Sequence, residues 1–197
     1  MKLIKPVGLL LSLTLSISIL SGCAVVAVGA AGTAATVSAG DRRSLGTQID
    51  DKTTQSRVRS AINAIDNIKN DAAISVDVYN GQVLLTGQAP TQSYIDAAEQ
   101  AASNTQHVIK VHNQIRLGTP IPASSTMNDV WLASKLKTLM VADEAVPFLK
   151  LELIVEDSEV FIMGKLTREE ASAAVDIARN VKGVTKVVRV MELLEIN

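Results

Sequence analysis

Two stretches decide the fold of this chain: ISVDVYNGQVLLTG at residues 74–87 and LELIVEDSEVFIMG at residues 151–164. In each, apolar and polar side chains alternate, a two-residue turn follows, and a second apolar run ends in glycine. This pattern predicts a β-hairpin in both stretches. Asn80-Gly81 is a strong turn signal because both residues tolerate a positive φ, whereas Asp157-Ser158 is a weaker one.

The hairpins belong to a longer internal repeat. Each is preceded by a helical pattern, followed by a second helical pattern and closed by a further strand. In that order, these elements are residues 54–62, 91–103 and 108–117 in the first copy, and residues 132–140, 168–181 and 184–194 in the second. Thr91 and Thr167 are suited to cap the second helices. The sequence therefore predicts an α+β fold: two tandem α-β-β-α-β domains, each a two-layer sandwich with helices on one side of a three-stranded sheet.

The N-terminus begins with a basic segment and an apolar run, which is the pattern of a signal peptide. Lys2 and Lys5 precede an apolar run at residues 7–20, which is too short and wrongly flanked for an ordinary membrane span. The run ends in Leu-Ser-Gly-Cys, which resembles the lipobox of bacterial lipoproteins. This resemblance implies that Cys23 carries a diacylglyceryl group and that the chain is cut just before it. Ala24 stands where an aspartate often retains lipoproteins in the inner membrane, so the resemblance implies the outer membrane and its periplasmic face.

The predicted organisation has five parts. They are a signal peptide at residues 1–22, a lipidated N-terminal tether at 23–48, a first domain at 49–117, a linker at 118–126 and a second domain at 127–195. The linker is rich in Pro, Ser and Thr, as connecting segments are. The first part of the tether, residues 24–40, is uncharged and made mostly of small residues. This composition favours a flexible tether, although the spacing of Gly29 and Gly32 is also compatible with close helix contact.

Composition argues against several classes of function. Lys and Arg number 19 against 20 Asp and Glu, and loss of Lys2 and Lys5 with the signal peptide leaves the mature chain slightly acidic. A nucleic-acid-binding protein would instead show a basic stripe. Aromatic residues make up 3% of the chain, too few for a base-stacking platform. The single cysteine excludes an intramolecular disulfide.

The repeat resembles the BON domain, which is found in pairs in bacterial envelope proteins. The resemblance rests on the second hairpin strands, residues 83–87 and 160–164, and on Gly183, Val184 and Val187 before and in the last strand. Two positions depart from the family pattern: Ser158 stands where the hairpin usually has glycine, and His107 replaces a glycine in the first copy. Both departures concern turns. The resemblance implies phospholipid or protein binding and no enzymatic activity.

No arrangement of residues predicts catalysis. His107 and His112 both fall at or in the last strand of the first copy and lack a third ligand nearby, so no metal site is predicted. Acidic residues occur in pairs at 50–51, 143–144 and 169–170, which we interpret as charges in loops or near helix ends. Glycine-rich phosphate motifs are absent. We expect no cofactor apart from the covalent lipid on Cys23.

The first helix of the second copy carries the candidate binding site. Its predicted core face is formed by Leu132, Leu136, Leu139 and Met140. Trp131, the only tryptophan, points away from that face. It shares the outward side with Met127, Val130, Ser134, Lys135, Lys137 and Thr138. Tryptophan is favoured at headgroup depth and lysines are attracted to anionic lipid, so this composition favours a membrane contact. Contact between the two domains, or with a partner protein, would also account for Trp131.

Two functions follow from these observations. The first is an outer-membrane lipoprotein whose second domain binds anionic phospholipid. For this protein the resemblance implies a role in envelope integrity, at division sites or beside the outer-membrane assembly machinery. The second is an adaptor that binds another envelope protein through the face of Trp131. Neither function involves nucleic acid.

Overall fold

Two small sheets with the same strand order organise the chain. The computed structural model describes residues 40–120 and 123–195. Cys23, the predicted signal peptide and most of the predicted tether lie outside these residues. Gly40–Asn197 form one compact unit that holds both predicted domains.

The two domains repeat one order of elements. In domain one they are helix α1 (Leu45–Asn63), a short helix α2 (Ile68–Asp71), strands β1 (Ala73–Tyr79) and β2 (Gln82–Ala89), helix α3 (Gln92–Ser103), and strands β3 (Lys110–Asn113) and β4 (Arg116–Leu117). In domain two they are helix α4 (Ala123–Ala142), a 3₁₀ turn (Phe148–Lys150), strands β5 (Leu151–Glu156) and β6 (Glu159–Leu166), helix α5 (Arg168–Asn180) and strand β7 (Lys186–Leu193). The predicted α-β-β-α-β order is confirmed in both.

The hairpin strand that follows the turn is central in each sheet. β2 pairs antiparallel with β1 and parallel with β3, and β6 pairs in the same way with β5 and β7. A parallel pair needs a crossover connection, which α3 and α5 provide. The last strand of domain one is interrupted between β3 and β4. There the side chain of Asn113 accepts a hydrogen bond from the backbone N–H of Ile115, at 3.1 Å, in place of a ladder bond.

Helix caps follow the sequence closely. The hydroxyls of Thr91 and Thr167 accept hydrogen bonds from backbone N–H groups of the next turn, so both predicted N-caps are confirmed. Thr167 forms a full capping box with Glu170. Ser44 caps α1, which therefore starts at Leu45, inside the segment that we predicted as tether. Likewise α4 starts at Ala123, inside the predicted linker, because the residues after Pro122 are compatible with a helix.

Each hairpin turn is held by a buried aspartate from the first helix of its domain. The carboxylate of Asp51 accepts hydrogen bonds from the backbone N–H groups of Asn80 and Gly81, at 2.7 and 2.9 Å. Asp129 does the same for Asp157 and Ser158, at 2.7 and 2.8 Å. Our interpretation of Asp51 as a helix-end or loop charge was therefore wrong, because its carboxylate is buried and fully used inside the domain.

The turns themselves have the left-handed backbone that the hairpin signal predicted. Asn80 and Gly81 have φ values of 52° and 71°, and Asp157 and Ser158 have values of 47° and 63°. A similar exchange occurs before the last strands, where His107 has a φ of 70° and Gly183 a φ of 103°. Each domain thus places one non-glycine residue in a conformation for which the other uses glycine.

The two sheets pack face to face, with the helices on the outer sides. Their shared apolar cluster consists of Tyr79, Leu84, Phe161, Met163 and Val190. Polar pairs surround it. They are Asn80 with Glu192 at 2.8 Å, Arg116 with Asp157, and Lys186 with Gln114 at 3.4 Å. Because each central strand is covered by helices on one face and by the other sheet on the opposite face, both of its faces are buried. The middle of each strand, residues 83–85 and 160–163, is apolar on both faces, whereas Thr86 and Gln88 are buried polar residues of β2.

Candidate lipid-contacting surface on helix α4

The core side of α4 is nearly as predicted. Leu132, Leu136 and Met140 are fully buried against the sheet and α5. Leu139, which we also assigned to the core, is 42% exposed, so that assignment was wrong. Its side chain lies at the rim of a shallow depression between α4 and α5, next to Ile177. The reason is geometric: the buried positions of α4, which are Asp129, Leu132, Leu136 and Met140, span an arc of about 80° on the helix, and Leu139 lies just outside that arc.

The outward side of α4 forms a largely apolar stripe. Its large side chains are Met127, Val130, Trp131 and Val141, which are 75%, 62%, 55% and 63% exposed. The prediction that Trp131 points away from the core is confirmed. Val141 was missed, although it lies 14 residues after Met127 and so returns to the same face of the helix. Isolated apolar residues are common on protein surfaces, whereas an exposed apolar stripe is uncommon and indicates a binding surface.

The hydroxyl groups on the stripe add little polarity. Ser134 Oγ donates to the carbonyl oxygen of Val130 at 2.9 Å, and Thr138 Oγ1 donates to that of Ser134 at 3.0 Å. Both hydroxyl protons are therefore used within the helix. The exposed stripe can meet an apolar surface without leaving these donors unsatisfied.

Two exposed lysines flank the stripe. The Nζ atom of Lys135 lies 5.0 Å from the ring centroid of Trp131, within the range of a cation–π contact. On the other side, the Nζ atom of Lys137 lies 5.7 Å from the ring centroid of Phe148, in the 3₁₀ turn. Lys137 also borders a groove of about 380 Å³ whose floor includes Phe148 and Leu153. The two ammonium groups therefore stand on either side of the aromatic and aliphatic stripe.

Helix α1 of domain one keeps one position of this stripe, Ile49, which is 66% exposed and aligns with Met127, and lacks the other three. Aligned by the repeat, Lys52, Thr53 and Asn63 occupy the positions of Val130, Trp131 and Val141. Arg57 and Arg59 correspond to the two lysines, so charge is present without an aromatic side chain. The Nε2 atom of Gln55 donates to the carbonyl oxygen of Val76 at 2.6 Å, which ties this helix to its own sheet edge.

The contact between the domains does not involve Trp131. It is made by the sheet faces, whereas Trp131 lies on the outer side of α4. The structure therefore excludes the alternative that this tryptophan packs between the two domains. A membrane surface or a partner protein is left to account for its exposure.

The remaining candidate residues have structural roles. His107 lies in a left-handed turn before the strand, and His112 Nε2 is 2.9 Å from Gln82 Oε1. Burial, together with the nearby Lys110, lowers the pKa of His112. Within residues 40–120 and 123–195, no three metal-ligating side chains come together. In the same ranges, no helix is both long and apolar enough to cross a membrane.

Comparisons with known proteins agree with the fold. The BON domain family matches residues 50–119 and 128–195. The outer membrane lipoprotein DolP of Haemophilus influenzae is 35% identical over 98% of this chain and 97% of its own length. A protein named 21 kDa hemolysin, from Actinobacillus pleuropneumoniae, is 38% identical over 79% of this chain and 80% of its own. With both domains matched and nearly the whole chain aligned to DolP, this chain belongs to the BON-domain family, as a member with two such domains.

Proposed function

We propose that this protein is a non-enzymatic outer-membrane lipoprotein that binds anionic phospholipid through the outward face of α4. In this proposal the lipid on Cys23 anchors the protein to the periplasmic side of the outer membrane, where it supports envelope integrity at division sites or beside the assembly machinery. The similarity to DolP supports the class of protein, since that relative is named as an outer membrane lipoprotein. The surface on α4 supports the ligand.

The observation that carries the proposal is the exposure of Trp131 between two lysines. Tryptophan is enriched at membrane interfaces, where its apolar ring and its N–H group are both accommodated. Each lysine near an anionic leaflet contributes about 1 kcal/mol. Burial of the exposed apolar side chains adds about 25 cal/mol for each Å² removed from water. With two lysines and one aromatic residue, the affinity of this surface alone is modest.

The anchor compensates for that modest affinity. A lipidated protein is already confined to the membrane surface, so contact by α4 becomes an intramolecular event with a high effective concentration. The helix therefore has only to select a lipid surface, since the anchor already keeps the protein at the membrane.

The test separates the surface from the anchor. A form that starts at residue 41 has neither the lipid nor the uncharged tether segment 24–40, so its flotation with vesicles reports on the folded domains. We expect it to bind vesicles that contain phosphatidylglycerol and to bind neutral phosphatidylcholine vesicles much more weakly. Trp131→Glu should weaken binding by about tenfold or more, which corresponds to about 1.4 kcal/mol. Thr53→Glu, at the aligned position of domain one, is the matched control and should change binding little.

Two results would contradict the proposal. If Trp131→Glu leaves flotation unchanged, α4 is not the lipid surface. If the wild-type form binds no vesicle but a purified envelope protein binds in a manner sensitive to Trp131→Glu, the adaptor function is correct.

The anchor has its own test. Mass spectrometry of the exported protein should show an N-terminal Cys23 that carries acyl chains, and Cys23→Ala should leave an unprocessed or misplaced protein. A mature N-terminus at another residue, without acyl chains, would contradict lipidation at this position.

A further inference from the structure

A short segment ahead of α1 lies across both domains. We refer to Asp41, Arg42 and Arg43 as the strap. The guanidinium group of Arg42 forms a bidentate ion pair with Glu170 of α5, at 2.6 and 2.9 Å. The same group donates to the carbonyl oxygen of Lys165 at 2.6 Å. All of these partners belong to domain two, although the strap leads directly into domain one.

The next arginine attaches the strap to domain one. Arg43 forms ion pairs with Asp41 and with Asp51, each at 2.8 Å, and its guanidinium carbon lies 3.7 Å from the ring centroid of Tyr79. Asp51 is the aspartate that holds the β1–β2 turn. Arg43 is therefore tied both to the hairpin and to the aromatic ring at its end.

Tyr79 connects the strap to the contact between the sheets. Its ring belongs to the shared apolar cluster, and its hydroxyl donates to the carbonyl oxygen of Lys150 in domain two at 3.0 Å. Burial and the nearby Asp41 raise the pKa of Tyr79 to about 12, so the hydroxyl keeps its proton and remains a donor at neutral pH. One side chain thus contacts the strap, domain one and domain two.

Among the residues that the structure describes, the shared cluster between the sheets has five buried apolar members, two in domain one and three in domain two, with Ile154 and Val188 half-buried beside them. Contacts between domains of one chain usually permit relative motion unless they are large and hydrophobic. An additional element that grips both domains would reduce that motion. Bidentate arginine–carboxylate pairs suit this purpose, because they fix the relative orientation of the two groups as well as the distance between them.

We propose that the strap is a lock that holds the two domains in one arrangement. Arg42 binds domain two and Arg43 binds domain one. Because the two arginines are adjacent in the chain, the domains cannot separate unless the contacts of one arginine break. The lock also fixes where the chain enters the folded part. Gly40 lies against Leu149 of the 3₁₀ turn, the neighbour of Phe148, whose ring faces Lys137. The entry point is therefore on the side of the lipid-contacting helix.

The experiment measures the distance between domains in the full lipidated chain in detergent. Spin labels on Ser103→Cys and Lys182→Cys, both at exposed positions, report on domain one and domain two. We expect one narrow distance distribution for the otherwise wild-type chain. Arg42→Ala should broaden it at least twofold. Glu170→Gln should do the same, because glutamine keeps the capping box of α5 but loses the charged partner of Arg42.

Controls make the result decisive. Arg57→Ala removes an exposed arginine of α1 and should leave the distribution narrow. The double variant Arg42→Ala with Glu170→Gln should be no broader than either single variant, because both remove the same contact. Unchanged distributions in Arg42→Ala and Glu170→Gln would overturn the proposal and assign the arrangement to the apolar cluster alone. Circular dichroism of each variant checks that both domains stay folded.

The link to α4 rests on the proposed function and has a separate readout. In vesicles, quenching of Trp131 fluorescence by brominated phosphatidylglycerol should fall at least twofold in Arg42→Ala and stay unchanged in Arg57→Ala. If the wild-type protein shows no quenching, the lipid surface is wrong while the distance measurement still decides on the lock. If quenching occurs but Arg42→Ala does not change it, the lock does not position α4.

Discussion

The two BON domains of this chain share their interior and differ on their exterior. Both hold the hairpin turn with an aspartate from the first helix, and both bury the same helix positions: Val58 and Ile62 in α1, Leu136 and Met140 in α4. Yet α1 presents lysine and threonine where α4 presents valine and tryptophan. The fold thus fixes the buried positions and leaves the outer face of the first helix free to acquire a function.

The largest expected effect is on stability, and it should differ between substitutions on the buried face and on the exposed face of α4. Leu136→Ala removes a fully buried side chain and should lower the free energy of unfolding by about 2–5 kcal/mol. Trp131→Ala removes a larger side chain that is mostly exposed, and should cost about 1 kcal/mol or less. Urea denaturation followed by far-UV circular dichroism measures both. An equal loss of stability in the two variants would show that Trp131 belongs to the interior.

A transfer of the aromatic residue should show how much of the difference lies in one position. Trp131→Thr should weaken binding to phosphatidylglycerol vesicles by about tenfold, or about 1.4 kcal/mol. Adding Thr53→Trp to that variant should restore only part of the affinity. Arg57 and Arg59 supply charge there, but Lys52 and Asn63 interrupt the apolar stripe. Full recovery in a flotation assay would mean that the stripe around Trp131 contributes nothing.

The hairpin turns should respond in opposite directions to an exchange of residues. Ser158→Gly should stabilise domain two by about 0.5–1 kcal/mol, because serine is held at a left-handed φ that glycine adopts without strain. Gly81→Ser should destabilise domain one by at least as much, since an added Cβ would also lie 2.8 Å from the end of the Ile109 side chain. Thermal unfolding of the two variants checks the signs, and the same sign in both would contradict this account.

The smallest effect concerns acidic groups at the contact between the domains. Burial raises the pKa of Glu152, with a contribution from Asp77 across the contact, and domain one has Ser75 at the aligned position. Since the folded state binds this proton more tightly, stability should rise as pH falls from about 7 towards the ordinary range of a glutamate. Glu152→Gln should raise Tm at neutral pH by about 1–2 °C and reduce its dependence on pH.

The acidic limit should show the opposite sign. The ion pair with Arg42 lowers the pKa of Glu170, so the stability that this pair contributes is present above the ordinary glutamate range and is lost as pH falls below that range.

The prediction for Glu152 has a clear contrary outcome. If Glu152→Gln does not alter the slope of Tm between about pH 7 and pH 5, the Glu152 carboxylate is solvated in the folded state.

The sequence was sufficient for features that depend on neighbours in the chain. Strand alternation, the Asn80-Gly81 turn and the threonine caps identify the order of elements because each is a local pattern. The outward position of Trp131 also follows from helical periodicity alone. Leu139 was assigned wrongly by the same periodicity, since the arc of apolar residues on α4 is wider than the face that the sheet covers.

Features that join distant residues could not be predicted in this way. The hydrogen bonds of Asp51 and Asp129 reach 28 to 30 residues along the chain, and the contacts of Arg42 with domain two span more than 120 residues. For the two aspartates, the available signal was that the first helix of each domain carries an aspartate three residues before its first buried core position. For the face-to-face packing, the signal was that residues 83–85 and 160–163 are apolar without alternation.

The buried aspartates have a consequence for strand register. A slip of one residue between paired strands normally moves the apolar set to the wrong face, which prevents the error. That safeguard is weakened here, because the middle of each central strand, residues 83–85 and 160–163, is apolar on both faces, so a slipped strand would still bury hydrophobic side chains there. Asp51 and Asp129 accept from two successive N–H groups that only the correct turn presents. A single carboxylate in each domain thus distinguishes the native pairing from its nearest misfolded alternative.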